Sequence, residues 1–282
     1  MKAWISFLKE RFDPLSNTAM ITLLIYYHQS FSVKVITYDQ IALCFLFSFS
    51  FFLKLRIYDE IKDYQTDLIH NPTRPLPRGL LTISSAKRVL LLTFFIEATT
   101  LFYNHNLSKL LIPLWGYSLL MYNEFFIGKW LSKKLTTYAI THTFIIFIYS
   151  LFIQEFLDIE LETTSTIILA LSCWLCFNVY EFARKVYCSE FEKEVPTYSN
   201  VWGIKGAFLL TLSQVLMATT CLLFLSHDLI FASVAINLMA ILFMSPLLIW
   251  NGPKQAKLFR MTSNLFIIIF LTTTIAFNTM GS

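Results

Sequence analysis

Asp59, Asp63 and Asp67 recur at every fourth position within Arg56-Ile57-Tyr58-Asp59-Glu60-Ile61-Lys62-Asp63-Tyr64-Gln65-Thr66-Asp67. On a continuous helix, which nothing interrupts before Asn71-Pro72, they form a single stripe. Carboxylates stacked on one face repel each other, so the stripe is costly unless a cation sits among them. Hard oxygen donors of this kind suit magnesium, which takes one or two carboxylates and completes its shell with water and phosphate oxygens. A solvated helix end of mixed charge is the competing reading, because Lys54, Arg56 and Lys62 stand nearby. The sequel, Asn71-Pro72-Thr73-Arg74-Pro75-Leu76-Pro77-Arg78-Gly79, is a proline-braced loop. Proline fixes its own φ and restricts the residue before it, so Arg74 and Arg78 have little entropy left to lose. Guanidinium groups match phosphate oxygens. A carboxylate stripe followed by a rigid arginine loop is what a metal–diphosphate site requires.

A second polar cluster, Asn178-Val179-Tyr180-Glu181-Phe182-Ala183-Arg184-Lys185, ends a later apolar run. Glu181, Arg184 and Lys185 share one helical face there. Ionisable groups at the edge of a membrane are functional candidates by default. The alternative makes Arg184 and Lys185 ordinary anchors.

The elements that carry these clusters follow from composition. The chain has 282 residues, 56% hydrophobic and 14% charged, with 28 Phe, 13 Tyr and 6 Trp against 7 Gly and 8 Pro. Its mean hydropathy is +0.61. That leaves too little polar side chain to coat a soluble enzyme, and it excludes disorder, collagen-like repeats and a disulfide scaffold. The fold class is therefore an all-α polytopic membrane protein, since irregular backbone is not tolerated against lipid. A helix needs about 20 largely apolar residues to cross the hydrocarbon. Nine stretches qualify, near Leu15–Val35, Gln40–Leu55, Ala86–Asn104, Leu110–Ile127, Thr137–Phe156, Thr164–Tyr180, Gly206–Leu225, Leu229–Trp250 and Ser263–Met280. The second is short unless its helix continues beyond Leu55.

Cations sort the connections into two sets. Lys2, Lys9 and Arg11 precede the first span. Lys54, Arg56, Lys62, Arg74, Arg78, Lys87 and Arg88 join the second to the third. Lys129, Lys133 and Lys134 follow the fourth, Arg184, Lys185, Lys193 and Lys205 the sixth, and Lys254, Lys257 and Arg260 the eighth. The opposite connections hold only Lys34 and Lys109, and one is acidic (Glu155, Asp158, Glu160, Glu162). The positive-inside rule puts the N-terminus in the cytoplasm and the C-terminus outside, and the first helix reads as an uncleaved insertion signal. The net charge of +4 is a topology effect, so membrane lipids are expected partners and nucleic acid is not. Cys173 and Cys176 are spaced CxxC but lie mid-helix, where small packing residues are expected.

Asp59-x3-Asp63-x3-Asp67 followed by Arg74-Pro75-Leu76-Pro77-x-Gly79 resembles the first aspartate-rich motif of UbiA-type intramembrane prenyltransferases. The likeness extends over the whole chain, 1–282, in helix count, orientation and motif placement. It implies one membrane-embedded domain, with nine helices around a central cavity open near the cytoplasmic side. It also implies a Mg2+ cofactor, an isoprenyl diphosphate donor and a lipophilic, aromatic acceptor. The resemblance assigns Asp59, Asp63, Asp67 and Glu181 to metal, and Arg74, with Arg78, Arg184 and Lys185, to diphosphate. Asp63, Asp67, Glu181 and Lys185 become the catalytic set. The family usually has Asn where Asp59 stands, a mild departure. It has a carboxylate where Lys185 stands, which changes the local charge by two units. Lys185, with Arg184, is then expected to replace part of the metal's charge.

Weaker candidates for the prenyl chain or acceptor are Tyr122 and Asn123 at the end of the fourth span, His142 in the fifth, Tyr180, and Tyr198 before the seventh. Interfacial anchoring competes for Tyr122 and Asn123, and a hydrogen-bonded packing role for His142. A terpene cyclase of the same fold shares the entire ionisation site and differs only in lacking an acceptor. A transporter or lipid-binding protein with a vestigial site would show a polar path through the bilayer. Glu97 is the one acidic residue well inside a span. The expected location is a bacterial inner membrane.

Overall fold

A computed structural model describes residues 2–32, 34, 36–188 and 196–281, and every regular element in it is a helix. They are α1 (Lys2–Arg11), α2 (Pro14–Gln29), α3 (Tyr38–Lys62), α4 (Tyr64–His70), α5 (Ile83–Ala98), α6 (Thr100–Tyr103), α7 (Ser108–Tyr122) and α8 (Gly128–Leu131). The rest are α9 (Leu135–Thr143), α10 (Ile145–Phe156), α11 (Thr163–Ala183), α12 (Tyr198–Leu225), α13 (Ile230–Met244), α14 (Pro246–Ile249) and α15 (Pro253–Gly281). Among the described residues, six helical stretches are long and apolar enough to cross a membrane: Tyr38–Lys62, Leu135–Phe156, Thr163–Ala183, Tyr198–Leu225, His227–Ile249 and Pro253–Met280. The chain is a multi-pass membrane protein.

The sequence count of nine is larger. The first, third and fourth expected spans form α2, α5 and α7, with 16, 16 and 15 residues. At 1.5 Å of rise per residue these cover less than the hydrocarbon thickness. The second expected span is longer than drawn. Thr37 and Gln40 close a reciprocal capping box at its start, and the helix runs 25 residues to Lys62. It carries the acidic motif to its own end.

The helices group into two compact units. One comprises Met1–Ile25 and Val35–Phe125, and the other Tyr26–Lys34 and Phe126–Ser282. In the first, Phe7 of α1 packs with Ile57 and Tyr58 of α3, Leu76 and Leu81 of the loop, and Ala86 and Leu90 of α5. Below that cluster lies an ion pair closed to solvent: Lys54 Nζ donates to Glu97 Oε2 at 2.5 Å, with both side chains 0% exposed. Trp115 Nε1 of α7 donates to the same oxygen at 2.6 Å, and the ammonium lies 4.8 Å and 4.6 Å from the Phe51 and Phe94 ring centres. Glu97 thus has its partner. Lys54, counted above among the cations of a cytoplasmic connection, is instead a buried link from α3 to α5 and α7.

In the second unit, α11 packs against α9, α10, α12 and α15. Trp174 Nε1 donates to Thr143 Oγ1 at 3.0 Å, Thr143 to Asn178 Oδ1 at 2.5 Å, and Asn178 Nδ2 to Gln214 Oε1 at 3.2 Å. This chain of bonds ties three helices together directly below Glu181. Cys173 and Cys176 are both buried in α11, as packing residues are.

Candidate functional site

The first cluster is built at the α3–α4 junction. The expected uninterrupted helix pauses at Asp63, whose φ and ψ of −82° and −1° cap α3 before α4 begins at Tyr64. The backbone hydrogen bonds nonetheless run on from Asp63 N to Asp59 O at 2.9 Å and from Asp67 N to Asp63 O at 2.8 Å, so the fourfold spacing survives the junction. Asp59 is exposed, Asp63 half-buried and Asp67 buried. Among the described residues, Asp59 has only a loose partner in Lys62 at 3.7 Å. Asp67 accepts from Asn71 Nδ2 at 2.9 Å and pairs with Arg74.

The loop after α4 folds as successive turns, with Arg74 N donating to Asn71 O and Arg78 N to Arg74 O, each at 3.0 Å. Gly79, at φ +75°, closes it in a conformation that favours glycine. Leu76 is buried among the residues around Phe7, which pins the loop's centre to α3 and α5. Arg74 is therefore presented by a fixed loop. Arg78 is turned aside: it makes a two-bond pair with Glu10 of α1, at 2.9 and 2.7 Å, and also donates to Thr73 O at 2.8 Å.

Burial pushes the Asp63 carboxyl above its usual range; Lys62 opposes this, while the neighbouring Asp59 and Asp67 add to it. Hard oxygens alone, with one carboxylate lacking a cationic partner among the described residues, are a donor set that fits a magnesium ion. Among the described residues, no three His, Cys, Asp or Glu side chains are already gathered as a metal cluster.

The second cluster sits where α11 ends. The helix stops at Ala183, so Arg184 and Lys185 follow it in a turn, yet both reach Glu181. Arg184 donates to both carboxylate oxygens, at 2.6 and 2.9 Å, and Lys185 Nζ lies 3.4 Å away. Two cations around one carboxylate leave a net positive cluster. Burial pulls the Lys185 ammonium below its ordinary value, with Glu181 opposing. The turn is held from two sides: Tyr198 N donates to Lys185 O at 3.0 Å, and Arg260 donates to Val186 O at 2.5 Å while stacking 4.6 Å from the Tyr187 ring. Lys193 lies outside the described residues.

The weaker candidates are placed as follows. Tyr122 is half-buried with its ring 4.7 Å from that of Tyr58. Asn123 is exposed, and its amide donates to Leu119 O at 2.8 Å, closing α7. His142 bonds to Tyr138 O at 2.8 Å and stacks on the Tyr138 ring at 4.0 Å, within its own helix. Tyr180 is exposed, whereas Tyr198 is fully buried, edge-on to Phe182 at 5.2 Å. Sequence spacing did not single out Glu10, Arg11 or Glu60. Glu60 is buried, and its Oε1 accepts from Arg11 at 2.6 Å and Arg56 at 2.9 Å. Its one signal is its position beside Asp59 on α3.

A family model, the UbiA prenyltransferase family, matches residues 17–271. No curated protein matches the chain by sequence. Two solved structures share the fold. One, from work on digeranylgeranylglyceryl phosphate synthase in membranes, is 17% identical, with 99% of both chains covered and a TM-score of 0.68. The other, the apo structure of a UbiA homolog from Aeropyrum pernix K1, is 13% identical, covering 92% of this chain and 98% of that one, with a TM-score of 0.65. The chain belongs to the UbiA prenyltransferase family and is a membrane prenyltransferase.

Proposed function

We propose that this member of the UbiA family moves a prenyl group from an isoprenyl diphosphate to a lipophilic, aromatic acceptor in a magnesium-dependent reaction. The observation that carries the proposal is Asp63, a half-buried carboxylate with no ion-pair partner among the described residues, set between Asp59 and the Asp67–Arg74 pair. Asp59, Asp63 and Asp67 would hold the metal, and the family resemblance assigns Glu181 to metal as well. The ion, when bound, neutralises the diphosphate and makes it a better leaving group. Arg74 contacts the diphosphate oxygens from a loop that has already lost its freedom. Arg184 and Lys185 outnumber Glu181, and on the family resemblance their positive charge would serve the diphosphate as it leaves. Lys185 thereby does what a second metal-binding carboxylate would otherwise recruit an ion to do. Half-buried aromatic faces on α3, Phe45 and Phe49 among them, would attract a developing allylic cation.

We take α2, α5 and α7 as three further spans of one prenyltransferase domain covering 1–282. Its N-terminus is cytoplasmic and its C-terminus outside, in a bacterial inner membrane. Tyr122 and Tyr180 remain the candidate contacts for the prenyl chain or acceptor, and Tyr198, fully buried against Phe182, suits a supporting place. Asn123 and His142 are engaged by backbone carbonyls of their own helices, which suits them to shaping rather than touching the acceptor.

The test is pyrophosphate release from geranyl, farnesyl and geranylgeranyl diphosphates by the purified protein. Chelation is expected to abolish it and magnesium to restore it. Lys185→Ala is expected to raise the KM for the donor about tenfold, the worth of roughly 1.4 kcal/mol of lost charge interaction. Lys185→Asp should lose activity unless magnesium is raised well above the wild-type requirement. Full activity of both variants at ordinary magnesium would refute the assigned role of Lys185.

A further inference from the structure

We propose that α1 belongs to the diphosphate-binding machinery, with Glu10 and Arg11 as positioning residues that act through Arg78 and Glu60. The proposal rests on the assignment of Arg74 to the diphosphate made above.

Glu10 does not reach Arg74 itself. Its carboxylate takes both terminal nitrogens of Arg78, at 2.9 and 2.7 Å, and the same guanidinium donates to Thr73 O at 2.8 Å. Arg78 thus bridges α1 to the near end of its own loop, and its backbone N–H is bonded to Arg74 O at 3.0 Å. Those bonds close a small frame around Arg74. The hydrogen bonds from Arg78 hold the Glu10 carboxyl below the usual carboxylate range, as expected for a carboxylate that stays charged in the pair. An exposed ion pair adds little to global stability, so the consequence of this one is geometric.

Arg11, the next residue, works on the other side of the site. With Arg56 it grips Oε1 of the buried Glu60, at 2.6 and 2.9 Å. Glu60 is thereby neutralised beside Asp59 and fixes the end of α3 instead of adding a fourth repelling carboxylate to the stripe. Two further contacts seat α1: Phe7 in the cluster with Ile57 and Leu76, and Trp4 Nε1 donating to Ser85 Oγ at 3.2 Å. One short helix therefore holds the end of α3, the arginine loop and the start of α5 in register.

The experiment uses the full-length protein in detergent, with farnesyl thiodiphosphate as an unreactive probe. Amide exchange of residues 72–80 and the probe's Kd are measured for wild type, Glu10→Gln, and the exchanged pair Glu10→Arg/Arg78→Glu. In Glu10→Gln, exchange of the loop should quicken about tenfold and the Kd rise about tenfold. The exchanged pair restores the ion pair but not the bond to Thr73 O, so it should recover part of both. Unchanged exchange or an unchanged Kd in Glu10→Gln, with the wild type binding the probe, overturns this proposal alone. Lowered thermal stability with neither effect makes α1 plain scaffold and overturns it too. A wild type that does not bind the probe removes the diphosphate assignment, and this proposal with it.

Discussion

Asp63→Asn is expected to lower prenyl transfer by about 10²–10³-fold, the scale of losing one charge-stabilising group from a preorganised site. The protein should stay folded. Asp63 caps α3 through its backbone N–H, bonded to Asp59 O, and its side chain makes no capping bond at the start of α4. Asparagine has nearly the same size and keeps an oxygen, so it removes charge and little else. Burial holds the carboxyl above its usual range, and among the described residues it has no ion-pair partner. Asp67→Asn is less clean, because it also releases Arg74 and weakens the bond to Asn71. Product formation at saturating donor, with the thermal midpoint as a check on folding, decides the matter. Activity within threefold of wild type would show that Asp63 holds nothing essential.

The second large effect is on stability. Lys54→Met alone should destabilise the protein by about 3–5 kcal/mol, because it strands a buried charge. Glu97→Gln alone should do likewise from the other side. Together they should cost far less than their sum, since methionine fills the lysine's place and glutamine still accepts from Trp115 Nε1. Both charges are fully buried and α3 carries the acidic motif, so this pair sets the depth of Asp59, Asp63 and Asp67 relative to α5 and α7. Reversible unfolding in mixed micelles, run as a double-mutant cycle, measures the coupling. Single variants as stable as wild type would mean that the pair is dispensable.

The sequence displayed local chemistry well and distant pairing poorly. The i, i+4 spacing of the aspartates, the proline-set loop and the reach of Arg184 and Lys185 to Glu181 all lie within a few residues. Backbone geometry alone constrains such neighbours. The bond of His142 to Tyr138 O is of the same local kind. Lys54 was misplaced because a lysine near the end of an apolar run resembles an interfacial anchor. Its partner Glu97 is 43 residues away, and only packing brings the two together. The Glu10–Arg78 pair, 68 residues apart in sequence, is hidden for the same reason, and Lys2, Lys9 and Arg11 count only as cations before the first span. Hydropathy scores apolar content and not where a helix stops: α7 ends at Tyr122 although apolar residues continue through Phe125, Phe126 and Ile127, so this expected span is shorter as a helix than its apolar run.

The central claim is that the prenyl group leaves its diphosphate for a separate acceptor. Purified protein, magnesium and each prenyl diphosphate should be incubated with and without a membrane lipid extract, following pyrophosphate and organic products, with Asp63→Asn as control. The account predicts little release without the extract, and release matched by a prenylated lipid when it is added, both lost in the control. A hydrocarbon or terpene alcohol formed without any acceptor, and lost in the control, would contradict it and make the protein a cyclase.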